Sequence, residues 1–178
     1  MRILTKTALV LGFFAASAVA VSCGKDTESG SLASQNNLIE SYITTNRLTD
    51  SVVKAGDLWY YRFKPSNGKQ IQVGSKVSLQ YVLNVVSSST YLMPYATNIK
   101  SVAVANKLDT IFVKFEPLTV EVGKSGLFKG FDLGLQYLKE GDAALILFPS
   151  TYGYEGEPMG IVPANSPLGI RVYISKVE

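Results

Sequence analysis

Residues 144 to 178 constrain the fold of this chain more than any other stretch. Ala144–Phe148 is an unbroken apolar run of strand length. A Tyr152-Gly153-Tyr154 loop, a Gly160-Ile161-Val162-Pro163 turn and a final strand through Ile170 follow it. A short run that is apolar at every position fits a strand buried in the core. Just upstream, Leu133, Leu135 and Leu138 are spaced to continue a helix, with Gly141 placed to end it. Helix, strand, loop and strand in this order gather aromatic and branched side chains around one concave surface with few charges.

At 178 residues and 47% hydrophobic content, the chain can bury the core of one domain. Residues 1–22 stand apart from it. Arg2 and Lys6 open a positive start, Ala8 to Val21 is an apolar run short for a membrane span, and Ala20-Val21-Ser22 brings small residues up to Cys23, the single cysteine. This resembles a bacterial lipoprotein signal, which implies that Cys23 is lipidated and begins the mature protein. The alternative is an ordinary secretory signal followed by a free thiol. Residues 23–33 are small and polar, as a flexible tether would be. Within them Lys25-Asp26 resembles the export signal that sends some outer-membrane lipoproteins to the cell surface. The resemblance implies an envelope protein, anchored through lipid on Cys23 to the outer membrane, on its periplasmic or surface face. The domain itself is expected over 34–178.

Removing Arg2 and Lys6 from the 17 basic residues leaves 15 against 14 acidic ones. The apparent basicity therefore belongs mostly to the signal, and no basic stripe marks a nucleic-acid partner. A lone cysteine forms no intrachain disulfide. The chain has no histidine, so Ser-His-Asp and Cys-His nucleophile systems cannot be built, nor can zinc sites that rely on histidine. No Gly-rich phosphate loop follows a strand. These absences point to chemistry without a cofactor, a metal or a covalent intermediate.

Along the domain, Ser34 to Asn46 is expected as an amphipathic helix, with Ser34 as its N-cap and Leu38, Ile39, Tyr42 and Ile43 on one face. Leu58 to Phe63 is aromatic-rich and reads as a strand, followed by a Pro65-Ser66-Asn67-Gly68 turn. Val77, Leu79 and Tyr81 alternate as one face of a strand. The stretch from about 87 to 108 reads as an insertion, in which Ile99, Val102 and Val104 suit either a strand or a helix.

Several of these segments resemble the FK506-binding-protein (FKBP) family of peptidyl-prolyl isomerases. Gly74 to Tyr81 resembles the strand that delivers a tyrosine to the family's pocket. Leu118-Thr119-Val120-Glu121-Val122-Gly123 resembles its "F-x-F-x-L-G" strand. Leu127-Phe128-Lys129-Gly130-Phe131 resembles "V-I-x-G-W", with Phe131 in place of the tryptophan at the pocket floor. Tyr152-Gly153-Tyr154 resembles "Y-A-Y", and Gly160-Ile161-Val162-Pro163 resembles "G-I-I-P". The resemblance covers about residues 58 to 178. It implies an α+β fold, an antiparallel, strongly twisted β-sheet wrapped on a short α-helix, here with an N-terminal helix and an insertion added.

The resemblance also implies a site. Tyr81, Phe112, Phe131 and Tyr154 take catalytic positions, and Leu118, Leu127, Phe128, Ile161 and Ile170 take substrate-binding ones. Phe112 aligns with the phenylalanine before the family's pocket aspartate, which hydrogen-bonds the pocket tyrosine; the next residue here is Val113. Asp109 and Glu116 are the nearby carboxylates that could stand in for it. The implied partners are proline-containing polypeptides, with no nucleic acid and no cofactor. Two functions fit: a prolyl isomerase helping exported proteins fold, and a tethered binding module on the same fold with weak or no catalysis. Without the resemblance, Phe131, Ile161 and Ile170 would read simply as core.

Overall fold

The computed structural model describes residues 30–178. The stretch read as a signal, Cys23 and most of the expected tether lie outside the described residues. The elements run α1 (Leu32–Thr45), β1 (Val53–Ala55), β2 (Leu58–Lys64), β3 (Lys76–Val86), β4 (Leu92–Thr97), α2 (Lys100–Ala105), β5 (Leu118–Glu121), α3 (Lys129–Leu135), β6 (Ala143–Phe148), a 3-10 turn at Ser150–Tyr152, and β7 (Leu168–Val177).

Among the described residues seven strands form one antiparallel sheet in the order β1-β2-β6-β7-β3-β4, with β5 also on β3. This is the expected FKBP-like α+β fold. The long strand β3 organises it. One edge of β3 pairs with β7 from Val77 to Val85. Its other edge is shared: β5 takes Lys76 to Leu79, and β4 takes Val82 to Val86.

The apolar run of β6 is buried at every residue because both faces of the sheet are covered. Ala144, Ile146 and Phe148 face the core beneath α3, while Leu145 and Leu147 face α1 with Ile39, Tyr42, Ile43 and Trp59. Glycine permits the close fit of α3. A Cβ on Gly130 would lie 2.7 Å from the Phe148 ring, and one on Gly134 2.7 Å from Ile146.

Four boundaries differ from the sequence reading. The first helix begins at Leu32 with Ser31, not Ser34, as its N-cap, because the Ser31 hydroxyl accepts the Ser34 N–H at 3.1 Å. Helix α3 ends at Leu135 rather than near Gly141. Its exit tightens into N–H bonds three residues back at Gln136, Tyr137 and Leu138, and Ile71 then takes the Leu138 carbonyl. Of the stretch read as an insertion, residues 92–97 are strand β4 within the sheet, and the part around Val102 is the helix α2. The chain instead leaves the sheet between β4 and β5, over 98–117.

A buried carboxylate ties the turn after β2 to β6. Asp142 Oδ1 accepts the Ser66 N–H at 2.6 Å, its Oδ2 accepts the Lys139 N–H at 2.8 Å, and Arg62 lies 3.7 Å away.

Candidate active site

On the α3 face, four aromatic rings form a continuous run. Phe131, in α3, is fully buried and lies edge-on to Phe128, with ring centres 6.4 Å apart. Phe128 meets Tyr154 edge-on at 5.4 Å and also packs on Phe148 at 5.7 Å. Tyr154 meets Tyr95 of β4 edge-on at 6.3 Å. Tyr81, Tyr95, Phe128 and Tyr154 are half-buried, so the run has a buried floor at Phe131 and an accessible rim.

The polar atoms of the rim are phenols. Tyr95 Oη donates to Tyr154 Oη at 3.3 Å. Burial first, and then this hydrogen bond and the nearness of Tyr154 and Tyr81, push the Tyr95 phenol well above its ordinary value. Burial, and then Tyr154, push Tyr81 up as well. No carboxylate contributes to either shift. Both phenols therefore remain protonated donors at neutral pH.

Tyr81 is held in an unusual way. It sits where β3 passes from β5 to β4, so its outward backbone groups have no strand among the described residues to pair with. Side chains replace the missing strand. Asn98 Oδ1 accepts the Tyr81 N–H at 2.8 Å, and the Thr97 hydroxyl donates to the Tyr81 carbonyl at 2.5 Å. Asn98, itself buried, also donates to the carbonyls of Leu79 and Glu116. It thus clamps both ends of the 98–117 excursion against β3.

The loop bearing Tyr154 is tied to α1. Buried Gln35 accepts the Ser150 N–H at 2.7 Å and donates to the Gly30 carbonyl at 2.9 Å. Gly153, between the two loop tyrosines, lets that turn close on β7, since a Cβ there would lie 2.6 Å from Leu168.

The structure brings together Tyr81, Phe128, Phe131 and Tyr154 from the residues singled out in the sequence. Leu118 packs on the same core, paired across from Leu79. Ile170 is fully buried in β7, opposite Leu83 and Ile146. Leu127 is 43% exposed, just before Phe128. Ile161 is 61% exposed at the tip of a turn closed by Met159 and Val162, and its neighbour Val162 is the buried one. Phe112 is 88% exposed, in a loop outside the sheet that also carries Val113. Asp109 there accepts the N–H groups of Ile111 and Phe112, its own loop neighbours.

Three residues escaped the sequence reading: Gln35, Tyr95 and Asn98. The segment Leu92-Met93-Pro94-Tyr95 lacks clean alternation, and its proline argues against a strand inside a sheet. Proline is tolerated because β4 is an edge strand with a register shift opposite Leu83 and Asn84. A separate groove of about 460 Å³ lies between α1, β4 and α2, lined by residues such as Tyr42, Leu92 and Arg171. It shares no residue with the aromatic run.

The fold and the aromatic rim together define an FKBP-like α+β domain. Residues 64–174 match the family described as FKBP-type peptidyl-prolyl cis-trans isomerase. "Peptidyl-prolyl cis-trans isomerase Fkbp12" of Drosophila melanogaster is 36% identical over 74 residues, 40% of this chain and 68% of that protein. "FK506-binding protein 4" of Chaetomium thermophilum is 26% identical over 115 residues, 65% of this chain but 20% of that protein. The fold also matches the crystal structure of a peptidyl-prolyl cis-trans isomerase from Pseudomonas syringae, with a TM-score of 0.59 at 14% identity over 85% of this chain and 96% of that one. The chain belongs to the FKBP-type peptidyl-prolyl cis-trans isomerase family.

Proposed function

We propose that this protein catalyses cis-trans isomerisation of X-Pro bonds in exported polypeptides, as a lipid-anchored member of the cell envelope. The observation that carries the reading is the run Phe131–Phe128–Tyr154–Tyr95 with Tyr81 beside it, a buried aromatic floor under a rim of phenols.

The chemistry asked of such a site is modest. Rotation about a peptide C–N bond crosses a barrier of roughly 18–20 kcal/mol because the planar amide loses its resonance. Uncatalysed exchange at X-Pro takes tens to hundreds of seconds. The twisted amide has less charge separation than the planar one, so apolar walls penalise the ground state more than the transition state. Phe131 and Phe128 supply those walls. The Tyr154 hydroxyl is a donor for a substrate carbonyl near the rotating bond. The Phe128 N–H, which has no acceptor among the described residues, is a second donor beside it. Leu118, Leu127, Ile161 and the buried Ile170 shape or support the surroundings. No acid, base or nucleophile is needed, in keeping with a chain that lacks histidine.

The anchor rests on Cys23 and the residues before it. Lipid there would hold the domain at the outer membrane, within reach of polypeptides that emerge into the envelope. Metabolic labelling with a radiolabelled fatty acid tests this, and loss of label in Cys23→Ala is the expected result.

The central test is exchange-sensitive NMR on a panel of proline peptides with the purified protein. Acceleration well above the uncatalysed rate is expected. A second reading, a binding module with little catalysis, is favoured by one observation: among the described residues no carboxylate hydrogen-bonds the phenols of Tyr81, Tyr95 or Tyr154, where the resemblance implies an aspartate. Peptide binding without acceleration would select that reading.

A further inference from the structure

We infer that Tyr95 is a positioning residue of this site, whose hydroxyl holds the Tyr154 phenol with its proton directed at the substrate carbonyl. This rests on the isomerase reading above and gives Tyr95 a role that neither the sequence motifs nor that reading assigns it.

The geometry supports the assignment in three ways. First, Tyr95 Oη is the donor and Tyr154 Oη the acceptor, 3.3 Å apart. A phenol that accepts a hydrogen bond on one side keeps its own proton for a partner elsewhere, and a phenol O–H is both donor and acceptor. Donation into Tyr154 also strengthens the donation Tyr154 makes onward, because chained hydrogen bonds polarise one another. Second, the edge-on contact of the two rings at 6.3 Å restricts the Tyr154 ring itself. Third, Tyr95 is well placed to keep the donor role. It lies in a strand paired to β3, and burial and the bond to Tyr154 both disfavour loss of its proton. A neutral phenol thus occupies the rim beside Tyr81 and Tyr154, where a carboxylate could only accept.

The test is a set of phenylalanine variants, which keep each ring and remove each hydroxyl. Tyr95→Phe is expected to lower kcat/KM about tenfold through kcat, with KM and thermal midpoint nearly unchanged. Tyr154→Phe is expected to lose more. The double variant should fall no further than Tyr154→Phe alone, within about twofold, because Tyr95 acts through Tyr154. Tyr91→Phe, a half-exposed tyrosine just before β4, is the control and should leave the rate unchanged. Independently of catalysis, the ring-carbon NMR signal of Tyr154 in protein labelled at the tyrosine ζ carbon should move in Tyr95→Phe and stay in Tyr91→Phe. Multiplicative losses in the double variant, or an unmoved Tyr154 signal, would overturn the inference. Should the wild-type protein bind proline peptides without accelerating them, the isomerase reading fails. The Tyr154 signal still decides whether Tyr95 holds it.

Discussion

Tyr95 and Phe112 are two aromatic residues that follow Tyr81 in the chain, and they meet opposite fates. Tyr95 lies on a strand paired to β3, half-buried against Tyr154. Phe112 lies in the excursion between β4 and β5, almost wholly exposed, its loop bent by Asp109. Motif spacing points to Phe112, and strand pairing sets Tyr95 beside Tyr154. A wall of this site is made by whichever segment hydrogen-bonds to the free edge of β3, because only that segment is carried in beside Tyr81. Asn98 marks the point where the chain passes from one circumstance to the other.

This contrast can be tested by removing the parts that create it. The largest effect is expected at the floor. Phe131→Ala empties a fully buried site beneath Phe128 and should lower stability by about 3–5 kcal/mol, read from urea unfolding. A loss below about 1 kcal/mol would mean that the surrounding rings collapse into the space, so that the floor is not rigid.

Asn98→Ala should cost roughly 1–3 kcal/mol, since it leaves the Tyr81 N–H and the carbonyls of Leu79 and Glu116 without their partner. Faster hydrogen exchange at the Tyr81 amide should accompany it. Unchanged exchange there would show that another group, or water, already serves Tyr81, and the contrast would lose its hinge.

A smaller effect should appear at alkaline pH. Burial raises the Tyr81 and Tyr95 phenols above the ordinary 10.0, so the unfolded chain ionises them before the folded one does. The stability they carry is intact below their unfolded value and is lost as the pH rises through and beyond it. Unfolding free energy should fall more steeply above about pH 10 in wild type than in Tyr95→Phe. Identical slopes would place the Tyr95 phenol in a water-like setting.

The smallest effect belongs to the loop. Phe112→Ala should change stability by less than about 0.5 kcal/mol, as exposed substitutions usually do. Its effect on isomerisation should be equally slight. A large loss of activity with stability intact would mean that the loop closes over bound peptide.

Much of this protein is readable along the chain. The all-apolar run at Ala144–Phe148 requires burial on both faces, and β6 has α1 on one side and α3 on the other. The alternation of Val77, Leu79 and Tyr81 places those side chains on the α3 face. Tyr154, Phe128 and Phe131 stand in local motifs whose spacing survives any change elsewhere, so their meeting could be expected from order alone.

What the tertiary structure alone decided is which distant segments meet them. Tyr95 carries no motif, and Pro94 beside it argues against a strand until the edge position of β4 is known. Gln35 looks like any polar residue on an exposed helix turn, yet it is buried against the Tyr154 loop 115 residues away. Asn98 looks like a turn residue, yet it completes a strand edge. The physical reason is common to all three. A helix or strand period is written in neighbouring residues, whereas the pairing of two strand edges, and the polar side chain that fills a gap between them, depends on which other segment is available once the core has closed.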